Sequence, residues 1–490
     1  MPITGEIEKK TYDVVVVGCG CAGLSAAVSA AEKGARVAVL ERSIKAERGG
    51  NTKYTEAYFR VTSETEVSPD FESLLEASAG GHIDPELAKG FLTPWKKQHP
   101  QLRALGFTDP EVINTFSQGV PPAIAWLKQF GVRLEALPTQ FITQATPRLL
   151  PVGGGQAIVD GLAGWAETHC VTFHYQTTAR ELLQDATGAV KGVRAISADG
   201  KLIDFEGKAT ILACGGFEGN QEMLMRYVGP HAYLLRPVAQ GGLYNKGEGI
   251  RMALDIGAAP AGQYGDFHAE PIDPRSGGPE PSIMLFQYGV VVNREGRRFM
   301  DEASDLVDRV YEPLSRAILR QPGGIGYFIT DVKIKDVPVY TRALRTQQPA
   351  IQADTVQELA KKLEVDFHAL DETIRNYNRA LTFGSFDPLK LDGLGTRGLE
   401  PPKSNWARSI DQPPYIAYPI CCSVVLTFGG VKVDAKARVI SCDGQAIRGL
   451  YAAGETAGMY YGAYVGSTSV LKGIVFGRVA GACGAQDAGH

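Results

Sequence analysis

The sequence has little that ties it to a membrane, a nucleic acid or an oxidising compartment. Its 50 Lys and Arg nearly balance 54 Asp and Glu, for a formal charge of −4. No long basic run breaks that balance, which argues against nucleic acid or an anionic membrane as partner. The eight cysteines are Cys19, Cys21, Cys170, Cys214, Cys421, Cys422, Cys442 and Cys483. They form no CxxC pair, zinc spacing or haem-attachment motif, so no metal is expected. Most should be small buried residues of a reduced, cytoplasmic protein. Only Val14 to Ala31 is uncharged over nearly the length of a membrane span. Its internal Gly18, Gly20 and Gly23 make it a strand, a turn and a helix instead, and no transmembrane segment is expected. Glu8, Lys9 and Lys10 precede any apolar run, so no secretory leader is expected either. With 44% apolar and 21% charged residues, disorder and a long coiled coil are excluded.

Glycine is what the chain has in excess. It contributes 57 of 490 residues, against an average of about 7%. No Gly-X-Y period accompanies it. The glycines cluster between apolar runs, on a chain long enough for roughly two or three domain-sized units.

The first cluster follows Tyr12-Asp13-Val14-Val15-Val16-Val17, a short β-branched run expected to be a buried parallel strand. Gly18-Cys19-Gly20-Cys21-Ala22-Gly23 is a G-x-G-x-x-G. An Ala-rich helix should run from Leu24 to Lys33 and stop at Gly34. Arg36 to Leu40 then forms a second strand that ends at Glu41. Gly18 permits the tight turn, Gly20 the approach of a pyrophosphate, and Gly23 close helix–strand packing. The helix N-terminus faces the phosphates and Glu41 accepts from ribose hydroxyls. This is a dinucleotide-binding βαβ unit, which alone does not separate FAD from NAD. Gly49-Gly50-Asn51-Thr52 follows closely, a loop with little side-chain bulk that suits a pyrophosphate or a flat ring.

The C-terminal region makes the reading specific. Gly449-Leu450-Tyr451-Ala452-Ala453-Gly454-Glu455 is a strand running into a Gly-Glu turn, followed by Gly462 to Gly466 and a helix through Phe476-Gly477-Arg478. These residues resemble the C-terminal FAD motif of the fumarate reductase/succinate dehydrogenase flavoprotein family. Ala209 to Phe217, containing Ala213, Cys214 and Gly215, resembles that family's third FAD-domain signature. Pro151 to Asp160, containing Gly155, resembles its segment near the adenosine. The resemblance covers about residues 12 to 480. It implies an α/β fold: a Rossmann-like FAD-binding domain of the glutathione-reductase type, in two parts (1–265 and 405–490), with an inserted α+β capping domain (266–404). It further implies FAD contacts at Arg42 beside Glu41, at Gly454 and Glu455, and at Ser469 and Val470, where the last helix meets the flavin. Covalent members attach flavin through a histidine near the Gly-Gly-Asn-Thr loop. The first histidine here is His82, so the FAD should be non-covalent.

Within the insert, Gly289 to Asn293 reads as a strand followed by a turn at Arg294-Glu295-Gly296. Asp354 is expected to cap one helix, with Gln357 three residues on. Asp366 should start another, with Leu370, Ile374 and Tyr377 on its buried face. Residues 60–150, with Pro121-Pro122 and Pro147, read as helical and carry no assignable chemistry.

The family transfers its proton through an arginine after a "VN.EG.RF..E" strand-turn. Val292 to Glu302 matches that pattern closely, and the resemblance points to Arg309, with Arg316 second. His268 is similar to a family histidine that binds substrate carboxylate. Three departures stand out. The family's second substrate histidine is replaced by Leu426, before Thr427-Phe428-Gly429-Gly430. Its substrate-clamping arginine is replaced by Tyr464 or Val465. Its proton-relay acid and arginine fall near Ser282 and Leu285. Losing a guanidinium fork removes bidentate recognition of a carboxylate, so a simple C4 dicarboxylate reductase is not expected. The soluble tricarballylate dehydrogenase group, which shares the Arg48-Gly49-Gly50-Asn51 loop, is the nearest-looking branch. Ketosteroid and cyclic-ketone desaturases come next, in which a tyrosine such as Tyr464, Tyr460, Tyr461 or Tyr54 would serve.

The resulting expectation is an FAD-dependent dehydrogenase that introduces a C=C bond α,β to a carboxylate or ketone, with an external electron acceptor. Arg309, Tyr464 and His268 are its candidate catalytic residues. The alternatives are an enoate reductase with an external donor, or an FAD-binding assembly protein with a decayed site.

Overall fold

A computed structural model describes residues 7–78, 89–90, 93–136, 148–338 and 340–490. His82 and Pro147 lie outside the described residues. Two six-stranded sheets organise the chain. The first runs in the order Arg438–Ile440, Ala446–Ala452, Ala209–Leu212, Val14–Val17, Val37–Leu40, Val171–His174. Every neighbouring pair in it is parallel except the first. Parallel sheets are covered on both faces, and Val14–Val17 shows why four valines suit the centre. Val14 and Val16 pack with the helices Cys21–Ala31, Gly154–Glu167 and Ser469–Ala488 on one side. Val15 and Val17 pack on the other, against Leu182, Val193 and Phe205 of a four-stranded sheet.

The first and last helices touch at backbone distance. A Cβ on Gly477 would lie 2.4 Å from Ala22 O, and one on Gly481 2.2 Å from Ala26 O. The Ala-rich first helix and the Gly-spaced last helix are therefore complementary surfaces.

The second sheet is built around Tyr415–Thr427. This 13-residue strand pairs with Arg236–Pro237, Phe267–Ile272, Ile325–Thr330 and Ile351–Ala353, and Val290–Asn293 pairs with Ile325–Thr330. The sheet thus reaches beyond the expected insert of 266–404 on both sides. The central strand lies after residue 405, because one uninterrupted strand, Tyr415 to Thr427, serves as the axis of the sheet and as the return to the cofactor side. Helix Phe367–Ala380 follows expectation: Asp366 accepts from Ala369 N at 2.8 Å, and Leu370, Ile374 and Tyr377 are buried. The preceding helix, Val356–Leu363, starts one residue later than expected. Its cap is Thr355, which accepts from Glu358 N at 3.1 Å, whereas Glu358 reaches back to Asp354 N. The box is Thr355/Glu358 rather than Asp354/Gln357.

Cys19, Cys21 and Cys422 are buried as expected, but Cys170 and Cys442 are exposed. Among the described residues, no helix is long and apolar enough to cross a membrane, and no group of three or more His, Cys, Asp or Glu could hold a metal ion.

Candidate active site

A cleft runs along the C-terminal ends of the first sheet and reaches the second; its lining extends from Glu41 and Thr177, past Gly454, to Glu280 and Leu426, which suits an extended ligand. The helices Cys21–Ala31 and Ser469–Ala488 both begin at it. Neither is capped by the side chain of its own N-cap residue, and neither has an acid in its first turn. Such N-termini turn a positive dipole end toward a ligand, the chemistry a pyrophosphate or a flavin carbonyl needs. Gly50 adopts φ +53°, and a Cβ there would meet nothing within 4 Å. The Gly49-Gly50 loop is therefore open on the cleft side. Glu41 sits at the end of its strand, held by Cys19 N at 3.0 Å and Ser43 N at 2.8 Å. These features fit FAD.

Most expected cofactor contacts line this cleft: Gly18, Gly20, Glu41, Arg42, Gly49, Gly50, Asn51 and Thr52 from the N-terminal unit, Ala213, Cys214 and Gly215 from the middle strand, and Gly454, Glu455, Ser469 and Val470 from the C-terminal part. Gly23 and Gly155 do not line it. Their missing Cβ atoms would lie 2.0 Å from Gly18 O and 1.8 Å from Thr52 O. These two glycines serve chain-to-chain packing, and so indirectly the shape of the cleft. Arg42 also differs from expectation in its partners: it donates to Tyr244 O and to Glu248 Oε1 at 2.9 and 2.6 Å. Sequence reasoning missed Thr177 to Ala179, Tyr244, Asn245, Glu248 and Lys472, all in the lining. None sits in a recognisable glycine motif.

Under the cleft lies a pair of acids. Glu218 is 1% exposed. Its Oε1 accepts from Asn51 Nδ2 at 2.9 Å and Asn245 Nδ2 at 3.1 Å. Glu455 Oε1 accepts from Thr427 N and Oγ1 at 2.5 and 3.0 Å. Burial, then the charge of Glu455 and a hydrogen bond with it, hold Glu218 well above the usual carboxyl range. Burial also raises Glu455, against the bonds it accepts and the nearby Lys472. Burial and mutual repulsion thus disfavour ionising both carboxyls at once. Lys472 is 3% exposed and donates to Ala457 O at 2.9 Å. Burial lowers its ammonium to about 8, opposed by Glu455.

The other end of the cleft meets the second sheet at Val238, Ala239, Glu280, Val425 and Leu426. His268 pairs across the strand with Leu426, so it comes to this junction. It is 5% exposed, and its Nδ1 is 2.7 Å from Glu312 Oε1. Burial opposes ionisation of Glu312. His268, then Arg316 and the Ala269 N–H, outweigh it and hold the carboxyl below its usual range. His268 Nε2 lies 3.9 Å from Glu270 Oε1. The rings of Tyr464 and Tyr311 stand 4.3 and 5.7 Å from the imidazole. Nearby, Arg345 bridges Glu56 and Glu280, the latter at 3.2 Å, with Tyr58 OH at 3.4 Å. Burial, then the charge of Glu270, pushes Glu280 up to about 8 despite Arg345.

The three expected catalytic residues separate. His268 is in the site. Arg309 is not brought to it: its side chain is 76% exposed and pairs with Asp305 at 3.1 Å on the first turn of helix Val307–Leu319. The side of that helix toward His268 belongs to Tyr311, Glu312 and Arg316, two, three and seven residues on. Arg316 binds Asp266 at 2.7 Å and lies 3.8 Å from Glu312. Tyr464 is in the site through its ring only. Its hydroxyl accepts from Thr468 N and Ser469 N at 3.2 and 3.1 Å and donates to Ser469 Oγ at 2.9 Å. It thereby caps the last helix. Tyr460 is buried with its hydroxyl on Thr468, Tyr461 bonds Gly262 N, and Tyr54 reaches only Gln240. Ser282 and Leu285 are buried and form no relay. Glu312 and Glu270 were missed because they carry no motif: one comes from a helix and the other from a strand that meet only in the fold.

A model of the family described as "FAD binding domain" matches residues 13–471. The chain is 29% identical to NADH:acrylate oxidoreductase of Vibrio harveyi over 96% of its length, and it spans 50% of that protein. It is 30% identical to urocanate reductase of Eggerthella lenta, over 96% of this chain and 74% of the relative. The open conformation of a flavocytochrome c3 fumarate reductase superposes with a TM-score of 0.74 at 22% identity, over 98% of this chain and 79% of the other. The chain thus spans about half the length of the first of these relatives and most of the second.

Proposed function

Because the chain belongs to the FAD binding domain family, we propose that it is an FAD-dependent dehydrogenase that introduces a C=C bond α,β to a carboxylate or ketone of a small organic substrate. The observation that carries this is the juxtaposition of a glycine-lined cleft between two helix N-termini with a buried His268–Glu312 pair near the end that meets the second sheet. When bound, FAD supplies the two-electron step. The side chains supply the proton chemistry and the geometry. Glu312 fixes one imidazole nitrogen and leaves His268 Nε2 directed at the site, so His268 takes the α-proton and Glu312 positions it. Tyr464 packs the ring and ties it to the start of the last helix. Leu426 and the apolar floor exclude water beside the bond that reacts. We assign the cofactor role to 1–265 and 405–490 and the capping role to 266–404, together with Tyr415–Thr427, whose strand the cap's sheet shares.

The second reading is reduction of the same bond with an external donor, favoured by the names of the two relatives, an NADH:acrylate oxidoreductase and a urocanate reductase. Anaerobic mixing separates the two. Dehydrogenation predicts that saturated acids or ketones bleach the visible flavin band. If none does, while activated alkenes reoxidise chemically reduced enzyme, the direction is reduction.

A further inference from the structure

The charges at the substrate end speak to what the substrate carries, an inference that rests on the reading of this end as the site of carbon–carbon redox chemistry. Four described arginines near it already pair with carboxylates: Arg345 with Glu56 and Glu280, Arg316 with Asp266, Arg148 with Asp308, and Arg60 with Asp70. A carboxylate entering here would compete with those built-in pairs.

The acids are in surplus. Glu56, Glu270, Glu280 and Glu312 share Arg345, His268 and Arg316, and Arg316 is also bound to Asp266. Glu56, Glu280 and Glu312 each have a partner. Glu270 is different. Its side chain is 15% exposed, its Oε1 is 3.9 Å from His268 Nε2, and its Oε2 is enclosed and accepts no hydrogen bond. An enclosed carboxylate oxygen without a donor is costly and uncommon in folded proteins. It is a vacancy of one particular kind, an acceptor waiting for an N–H or O–H. The neighbouring Glu280 carboxyl, raised by the charge of Glu270, reports the same shortage of positive charge.

We propose that the substrate presents a protonated nitrogen, as an ammonium, imidazolium or amidinium group, to Glu270, and that the site rejects a carboxylate at that position. Glu270 is then a specificity-determining residue. The cation would fill the one unmet acceptor, and the Glu56–Arg345–Glu280 cluster would stay paired.

Three flat probes of one shape test this on the FAD-loaded enzyme: benzamidine (cationic), benzamide (neutral) and benzoate (anionic). Each is titrated against the visible flavin spectrum. The expected result is saturable perturbation by benzamidine, at least about tenfold tighter than by benzamide or benzoate, the scale of one charge-assisted hydrogen bond. Glu270→Gln should bring benzamidine down to the level of benzamide, and Glu280→Gln should keep benzamidine ahead of benzoate. Should Glu270→Gln not retain FAD, the salt dependence of the wild type decides: benzamidine binding should weaken with ionic strength and benzamide binding should not. Benzoate binding as tightly as benzamidine would overturn the proposal. So would undiminished benzamidine affinity in Glu270→Gln, or no perturbation by any probe. The outcome is independent of turnover. If no alkene reoxidises and no acid or ketone reduces the flavin, the redox reading fails, while the order of the probes still stands or falls alone.

Discussion

The sequence pointed to Arg309 for the proton and to His268 for a substrate carboxylate, and their surroundings separate them. His268→Ala is expected to lower the rate of flavin reduction by about 10²–10⁴-fold, the usual contribution of a positioned acid or base, with the FAD content unchanged. Glu312→Gln should lower the rate less and shift its pH profile, because the imidazole stays but its orienting charge is lost. Arg309→Ala should change neither, since the guanidinium is 76% exposed and bound only to Asp305. Stopped-flow reduction of the three variants checks all of this. Glu280 gives a prediction about pH. Its folded carboxyl titrates near 8, against 4.5 ordinarily. Between those values the folded chain keeps a proton that the unfolded chain has released, so stability falls as pH rises through that window. Glu280→Gln should flatten the fall in melting temperature from pH 6 to 8.5. The cofactor residues were legible because a backbone approach to phosphate leaves glycine in the sequence at fixed spacing. The substrate residues were not. Glu270, Glu312 and Arg345 are ordinary side chains, and only the pairing of Phe267–Ile272 with Tyr415–Thr427 and the packing of a helix upon it bring them together.

Among the elements, the pair formed by the first and last helices explains part of the glycine excess differently from the motifs. Gly477 and Gly481 approach no ligand; they let Ser469–Ala488 lie against the backbone of Cys21–Ala31. A single methyl is too much there. Gly481→Ala should cost about 1–3 kcal/mol, as overpacking does, and Gly477→Ala should additionally weaken FAD, because both helices begin at the cleft. Thermal denaturation with and without FAD distinguishes the two. The βαβ unit, the Gly-Glu turn and the helix after Asp366 were readable from periodicity and caps. The extent of the second sheet was not, because a strand's partners are set by distant segments. Tyr415–Thr427 reads locally as part of the cofactor half and pairs as the axis of the other.

Across the whole molecule, one ligand should couple these parts. FAD that binds only the folded chain stabilises it by about 2.7 kcal/mol at a hundred times its Kd, and by about 1.4 kcal/mol for each further tenfold. The melting temperature should therefore climb with FAD concentration, and Glu41→Ala should move that climb to higher concentrations. Calorimetry against an FAD series measures it.

The order of the first sheet also sets a schedule for synthesis. Val14–Val17 is made first, yet it is flanked by Ala209–Leu212, which in turn pairs with Ala446–Ala452. At roughly 5–20 residues per second, the ribosome needs about 20–90 s to travel from the first of these strands to the last. Throughout that interval the face of the Cys21–Ala31 helix that Ser469–Ala488 covers has no permanent partner. A chain stopped before Ser469 would never acquire it. Nascent copies are thus exposed to aggregation until the final helix emerges, and a chaperone that shelters the N-terminal strand during translation should raise the yield of folded protein more than one that acts after release.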